Sequence, residues 1–367
     1  MNDRLQPTDR IQSIDALRGF DMLIIIFADR FFSTLNRGVG SPFSESLAQQ
    51  FEHPEWFGSS FYDIVMPLFL FVVGAVIPFS LSKRFQENNS RTAIYKKLIK
   101  RFIILFVLGW VVQGNLLELD LDRFHIFSNT LQAIAVGYIL SSLAYVYLQK
   151  KARYLLFLGC LVIYALLLTL PMVPGVGRSA LLPDSSYALY FDHLILGRFD
   201  DGTQYTWLLS GFGFTATTLS GLFAGELIKS NLSRNKIATT LMLVGIGFLA
   251  AGIIWGRWHP IVKKLWTSSF VLASSGVCYL LLALFYWIMD IKGKVKWAFP
   301  LKVIGMNAIT AYVLSHIITF PKVADFVLFG LEQYTGVYYG VVTTIGGFGI
   351  LYGLLWYMYS NKTFVKV

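Results

Sequence analysis

Charged residues are scarce in this chain. Asp, Glu, Lys and Arg make up 14% of its 367 residues, whereas 55% are hydrophobic and the mean hydropathy is +0.59. A soluble domain of this size carries roughly a quarter of its residues as charges, so composition excludes that class. Cysteine is nearly absent. Cys160 and Cys278 each lie inside an apolar run, which argues against a disulfide framework or a metal site and reads as packing. No Gly-rich phosphate loop and no repeat of fixed period interrupts the chain.

What is present is apolar length. Stretches of about 20 apolar residues, enough to cross a ~30 Å hydrocarbon core as helices, recur along nearly the whole sequence. The expectation is an all-α, polytopic membrane protein with about ten spans, near 14–35, 60–82, 95–117, 127–148, 153–171, 206–229, 236–256, 266–289, 298–319 and 337–359. One membrane domain then accounts for residues 1–367, with 171–205 as its long extracytoplasmic loop, a candidate lid or acceptor surface. The polar start runs straight into the first span, so no cleavable signal peptide is expected.

The net charge of +10 invites a nucleic-acid reading, but the basic residues gather in alternate short connections. Arg4 and Arg10 precede the first span. Lys83, Arg84, Arg91, Lys96, Lys97, Lys100 and Arg101 surround the second connection, Lys150, Lys151 and Arg153 the fourth, Lys229, Arg234 and Lys236 the sixth, and Lys292, Lys294 and Lys296 the eighth. This is the positive-inside pattern, and it puts both termini in the cytoplasm. The intervening connections carry Glu52, Glu55, Glu118, Asp120, Asp122, Asp184, Asp192, Asp200, Asp201, Asp325 and Glu332; the seventh, with Arg257, Lys263 and Lys264, breaks the rule.

Chemistry concentrates before the second span, in His53-Pro54-Glu55-Trp56-Phe57-Gly58-Ser59-Ser60-Phe61-Tyr62-Asp63. A proton-transfer group there stands at the outer mouth of a helix whose first turns carry a carboxylate, costly to bury without a partner. Beside Trp56, His53 could equally be an interfacial histidine of an aromatic belt. His125, His193 and His259 fall in or beside outer loops, as solvated histidines do, while His316, late in the ninth span, either packs or faces the same cavity as His53. Asp15 and Arg18 share one helical face, as an ion pair or with Arg18 meeting a phosphate. Lys97 and Arg101 share another at the inner surface, where snorkelling alone would explain them. Asp29 either holds an ammonium or pairs with Arg30. Asn129, Thr130 and Gln132 open the fourth span, and Gly211, Gly213, Gly221 and Gly225 surround Thr217 and Thr218 in the sixth, where small residues allow close packing. Asn307 sits inside the ninth span and needs partners there.

Taken in order, Ser13-Ile14-Asp15-Ala16-Leu17-Arg18-Gly19, His53-x-x-Trp56-x-Gly58 with Asp63, Pro67, Phe71 and Gly74, Leu131-Gln132 with Gly137-Tyr138, Gly221 with Gly225, Pro260-Ile261-x-Lys263-x-Leu265-Trp266-Thr267-Ser268 and Gly305-Met306-Asn307 resemble the heparan-α-glucosaminide N-acetyltransferase family. The resemblance implies a bacterial inner-membrane enzyme that takes acetyl-CoA from the cytoplasm and acetylates a glucosamine-type amine on the outer face, without a metal. A homodimer is what the family suggests. The family's catalytic histidine falls at His53, and Asp29 stands where an active-site Asn is expected. Under this reading His53 accepts the amine proton, Asp63 orients the imidazole, and Asn307 or a backbone N–H stabilises the oxyanion. Arg18, Lys97 and Arg101 meet the donor's polyanionic end, and Asp29, Trp56 and His316 line the acceptor side. A covalent acetyl-imidazole route stays open. The Asp-x-Leu-Arg-Gly run also occurs in membrane O-acyltransferases of surface glycans, the second reading, although their histidine is expected soon after that motif, where Asp29 and Arg30 stand. A secondary transporter is the third, and predicts discontinuous helices in paired halves.

Overall fold

The computed structural model describes residues 11–86, 91–114, 116, 119–121 and 123–365, so Arg4, Arg10, Glu118 and Asp122 lie outside the described residues, as do the side chains of Lys83, Arg84 and Arg91. It is 75% helical and nearly all-α. The elements are α1 (Gln12–Leu23), α2 (Asp29–Val39), α3 (Pro42–Gln49), α4 (Val65–Gln86), α5 (Arg91–Gln113), α6 (Thr130–Tyr147), α7 (Lys150–Thr169), the two-residue strands β1 (Met172–Val173) and β2 (Gly177–Arg178), α8 (Tyr187–Leu196), α9 (Gly211–Ile228), α10 (Arg234–Trp255), α11 (Ser268–Tyr286), α12 (Phe299–Met306), α13 (Ala308–Ile317), α14 (Phe320–Leu328), α15 (Glu332–Thr335) and α16 (Tyr339–Ser360). A π-helical turn at Ile24–Ala28 joins α1 to α2 without a break.

Among the described residues six helical stretches are long and apolar enough to cross a membrane, seven if the pair Lys296–Met306 and Ala308–Ile317, bent by 65°, counts as one. Six or seven candidate spans thus stand against the ten expected, although helix runs through most of every expected stretch. The shortfall is one of polarity. The first stretch carries Asp15, Arg18, Asp21, Asp29 and Arg30; α5 opens on Lys96, Lys97, Lys100 and Arg101; and α9 is diluted by glycine, threonine and Glu226.

Lipid offers no hydrophobic drive between helices, so close contact rests on small residues. Gly221 and Gly225 of α9, four apart, lie on the Phe71 and Ala75 carbonyls of α4, and Gly74 lies on Thr218. Gly19 of α1 and Gly305 of α12 meet in the same manner. The start of α6 is fixed by a reciprocal cap: Leu131 N–H donates to Asn129 Oδ1 (3.0 Å), and Ser128 and Asn129 N–H donate to Gln132 Oε1 (2.7 and 3.3 Å). A Cβ at Gly221 would stand 1.9 Å from the Phe71 carbonyl oxygen, whereas one at Gly159 meets nothing. Gly221→Ala is expected to cost about 1–3 kcal/mol and lower the melting temperature in detergent, while Gly159→Ala leaves it in place.

Candidate active site

The site is built around a carboxylate. Asp63 lies in the turn that starts the fourth helix, its side chain 0% exposed, and Ser60 N–H donates to Oδ2 at 2.9 Å. The preceding loop folds back, with Tyr62 N–H on the Gln50 carbonyl (3.0 Å), and returns His53 to the same point. Its Nδ1 lies 2.6 Å from Asp63 Oδ1, while the ring keeps 39% of its exposure. A carboxylate at Nδ1 fixes that nitrogen as the protonated one and leaves Nε2 with its lone pair.

A third group completes the cluster. Lys263 Nζ stands 3.0 Å from Asp63 Oδ1 and 3.2 and 3.3 Å from His53 Nδ1 and Nε2. Burial lowers the Lys263 pKa, and the Asp63 carboxylate opposes that shift. The lysine comes from the loop between α10 and α11, which pairs with the His53 loop: Gly58 N–H donates to the Ile261 carbonyl at 2.9 Å, and Gly58 bridges Val262 in parallel. Gly58 has φ of +93°, a conformation that a side chain would strain. Behind this loop, Thr206 N–H donates to the Lys264 carbonyl at 3.1 Å and the Tyr164 hydroxyl to that of Leu265.

His53, Lys263 and Tyr62 face a cavity of about 500 Å³, closed by Gln113, Asn129 and Thr130, by Asp201, Thr203, Tyr205 and Trp207 from the long loop, and by Tyr312 and His316. A second cavity of about 350 Å³ adjoins it, sharing Ile25, Tyr62 and His316 and adding Asp29 and Arg30. Of the expected site residues, His53, Asp63, Asp29 and His316 thus converge. Trp56 does not; its indole donates to the Leu181 carbonyl at 2.7 Å and ties the His53 loop to the long loop. Asn307 is buried at the α12–α13 bend, where neither side-chain atom has a hydrogen-bond partner among the described residues, and it lines neither cavity. Nor do Arg18, Lys97 and Arg101. Lys97 is exposed on α5, and the Arg101 guanidinium lies 4.2 Å from the Tyr138 ring centroid, a cation–π contact.

His259 is no solvated histidine: it is 4% exposed, and burial lowers its pKa to about 4. His193 is exposed and pairs with Asp200. The group that sequence reasoning missed as a participant is Lys263. Its signal was there, as a cation misplaced among outer acidic connections.

The fold and the site define a polytopic helical membrane protein with a His–Asp–Lys cluster open to a cavity. Residues 10–114 match a family described as a domain of unknown function (DUF5009). Two curated relatives are heparan-alpha-glucosaminide N-acetyltransferases. That of Homo sapiens is 23% identical over 364 residues, covering 83% of this chain and 52% of the relative. That of Mus musculus is 23% identical over 372 residues, covering 84% and 54%. The chain spans about half the length of the curated relatives it matches, and the two matches support a distant relationship to them.

A buried carboxylate stands behind the cavity wall. Asp192, 1% exposed, accepts from Trp207 N–H (2.5 Å) and Leu208 N–H (3.2 Å), yet burial prevails and pushes its pKa up to about 7. The unfolded chain ionises this group near 3.9, so between that value and about 7 the unfolded state holds fewer protons and stability falls as pH rises. Thermal melts from pH 4 to 8 should show this slope, and Asp192→Asn should flatten it.

Proposed function

We propose that this protein is a membrane N-acetyltransferase that moves an acetyl group from cytoplasmic acetyl-CoA to the amine of a glucosamine-type sugar on the outer face. The observation that carries the reading is the His53–Asp63–Lys263 cluster at a cavity of about 500 Å³, a size that suits a small polar acceptor and the end of a thioester. An amine attacks a thioester only as the free base. As its nitrogen bonds to the carbonyl carbon, the proton passes to His53 Nε2; the C–S bond then breaks and the thiolate leaves, taking the proton back. Asp63 holds the Nδ1 proton and stabilises the imidazolium that forms. Lys263 keeps Asp63 ionised and stands beside Nε2, where the attacking nitrogen would arrive.

One membrane domain spanning the chain, in a bacterial inner membrane with both termini cytoplasmic, would put the donor's polyanionic end on the inner face. Arg18, exposed Lys97 and Arg101 are the basic residues assigned to it. Asn307 has no part in this scheme, since it lines neither cavity.

His53→Ala should lower kcat by roughly 10²–10⁴-fold with little change in donor affinity. Lys263→Gln should lose less than His53→Ala but more than a surface lysine change, because it leaves Asp63 shared with His53 alone. Mass spectrometry of product from purified protein, acetyl-CoA and glucosamine tests the reaction: an amide survives mild base, and a base-labile ester would favour an O-acyltransferase. Orientation is open to a separate check, since both native cysteines are buried. In intact cells an impermeant thiol reagent should label Asp184→Cys and spare Asn231→Cys; the opposite pattern would reject the cross-membrane scheme.

A further inference from the structure

The cavity beside the His53 compartment has chemistry of its own. It is about 350 Å³ in volume, and Ile25, Tyr62 and His316 line both spaces, so the two lie side by side. Its polar lining mixes acceptors with donors, the latter from Arg30 and from the Tyr62 and Thr319 hydroxyls. His316 Nδ1 lies 2.8 Å from the Tyr312 carbonyl, so that nitrogen carries the proton and Nε2 keeps its lone pair. The Ser315 hydroxyl spends its proton on the same carbonyl (2.8 Å), and the Thr344 hydroxyl on that of Gly340 (2.7 Å), which leaves their oxygens free to accept. The half-buried Asp29 carboxylate adds two more acceptor oxygens, and Arg30, exposed at the rim, supplies donors. Tyr62 and Phe348 contribute aromatic surface. Mixed donors and acceptors suit a ligand rich in hydroxyls, which do both, with apolar C–H faces to lie on rings, and the Asp29 carboxylate opposes a further carboxylate.

We infer that this compartment is a second acceptor subsite that holds a neutral, hydroxyl-bearing sugar unit next to the amino sugar being acetylated. The protein would thus act on a saccharide whose amino-sugar end is linked to an uncharged neighbour, in preference to free glucosamine or to an end linked to an acidic unit. This rests on the acetyl-transfer reading.

The test uses three acceptors with the full-length purified protein: glucosamine, a disaccharide of glucosamine on a neutral hexose, and one of glucosamine on a uronic acid. Two or three net hydrogen bonds in the subsite should make kcat/KM for the neutral disaccharide roughly tenfold higher than for glucosamine, mainly through KM. The uronic acid disaccharide should fall below the neutral one. Ser315→Trp, which fills the compartment, and the near-isosteric Asp29→Asn should both move the ratio of neutral disaccharide to glucosamine toward one. A ratio near one in the wild type, or one that both variants leave as it was, would overturn the subsite. So would a preference for the uronic acid disaccharide. Calorimetry without donor separates this inference from the one beneath it. If no acetylated product forms but the neutral disaccharide still binds about tenfold tighter than glucosamine, and Ser315→Trp abolishes the difference, the subsite stands and the transferase reading falls.

Discussion

Everything in the candidate site follows from the cost of holding one carboxylate away from water. Asp63 stands at the head of a membrane helix with no solvent exposure, and an unpaired charge there would cost several kcal/mol. Three groups from three directions compensate it: the Ser60 N–H, the His53 imidazole and the Lys263 ammonium. Each is fixed in place by that need. The carboxylate selects one histidine tautomer, and by doing so it leaves the other nitrogen free to work at the cavity.

That requirement also orders the surrounding loops. The His53 and Lys263 segments are far apart in sequence, yet they pair through Gly58 and Val262, and the backbone of the second is gripped by Thr206 and Tyr164. The long loop enters the same assembly through Trp56 and Leu181 on one side and through the Asp192 anchor on the other. A cavity wall made of loops is thereby held by hydrogen bonds to main-chain atoms, which place side chains more firmly than apolar contact alone. The membrane helices provide the frame, and their closest approaches occur where glycine lets backbones touch.

Much of this was legible in the chain. The nine residues between His53 and Asp63 contain two turn signals, Pro54 and Gly58, and an acid at the head of an apolar run already asks for a partner. The ordered motifs named the family, and the Gly221–Gly225 spacing named a packing surface. The span count was less legible, because apolar length alone does not distinguish a lipid-facing helix from a polar-lined one such as α1 or α5. Trp56 and Asn307 were misjudged for a related reason. Both lie in motifs shared with the family, but motif membership cannot say whether a side chain turns toward a cavity or toward its own scaffold.

The sequence by itself determined that the chain is rich in apolar helical stretches, that His53 and Asp63 stand ten positions apart at the head of one of them, and that its ordered motifs resemble those of an acetyltransferase family. Those conclusions depend on composition, on short spacing and on ordered motifs, all of which are local or additive along the chain. Only the tertiary structure decided that Lys263, 210 positions from His53, joins them, that Asp29 and His316 border a second compartment, and that Asn307 stands apart. Such pairings depend on which loops dock and which helix faces turn inward, and those are set by contacts summed over the whole fold.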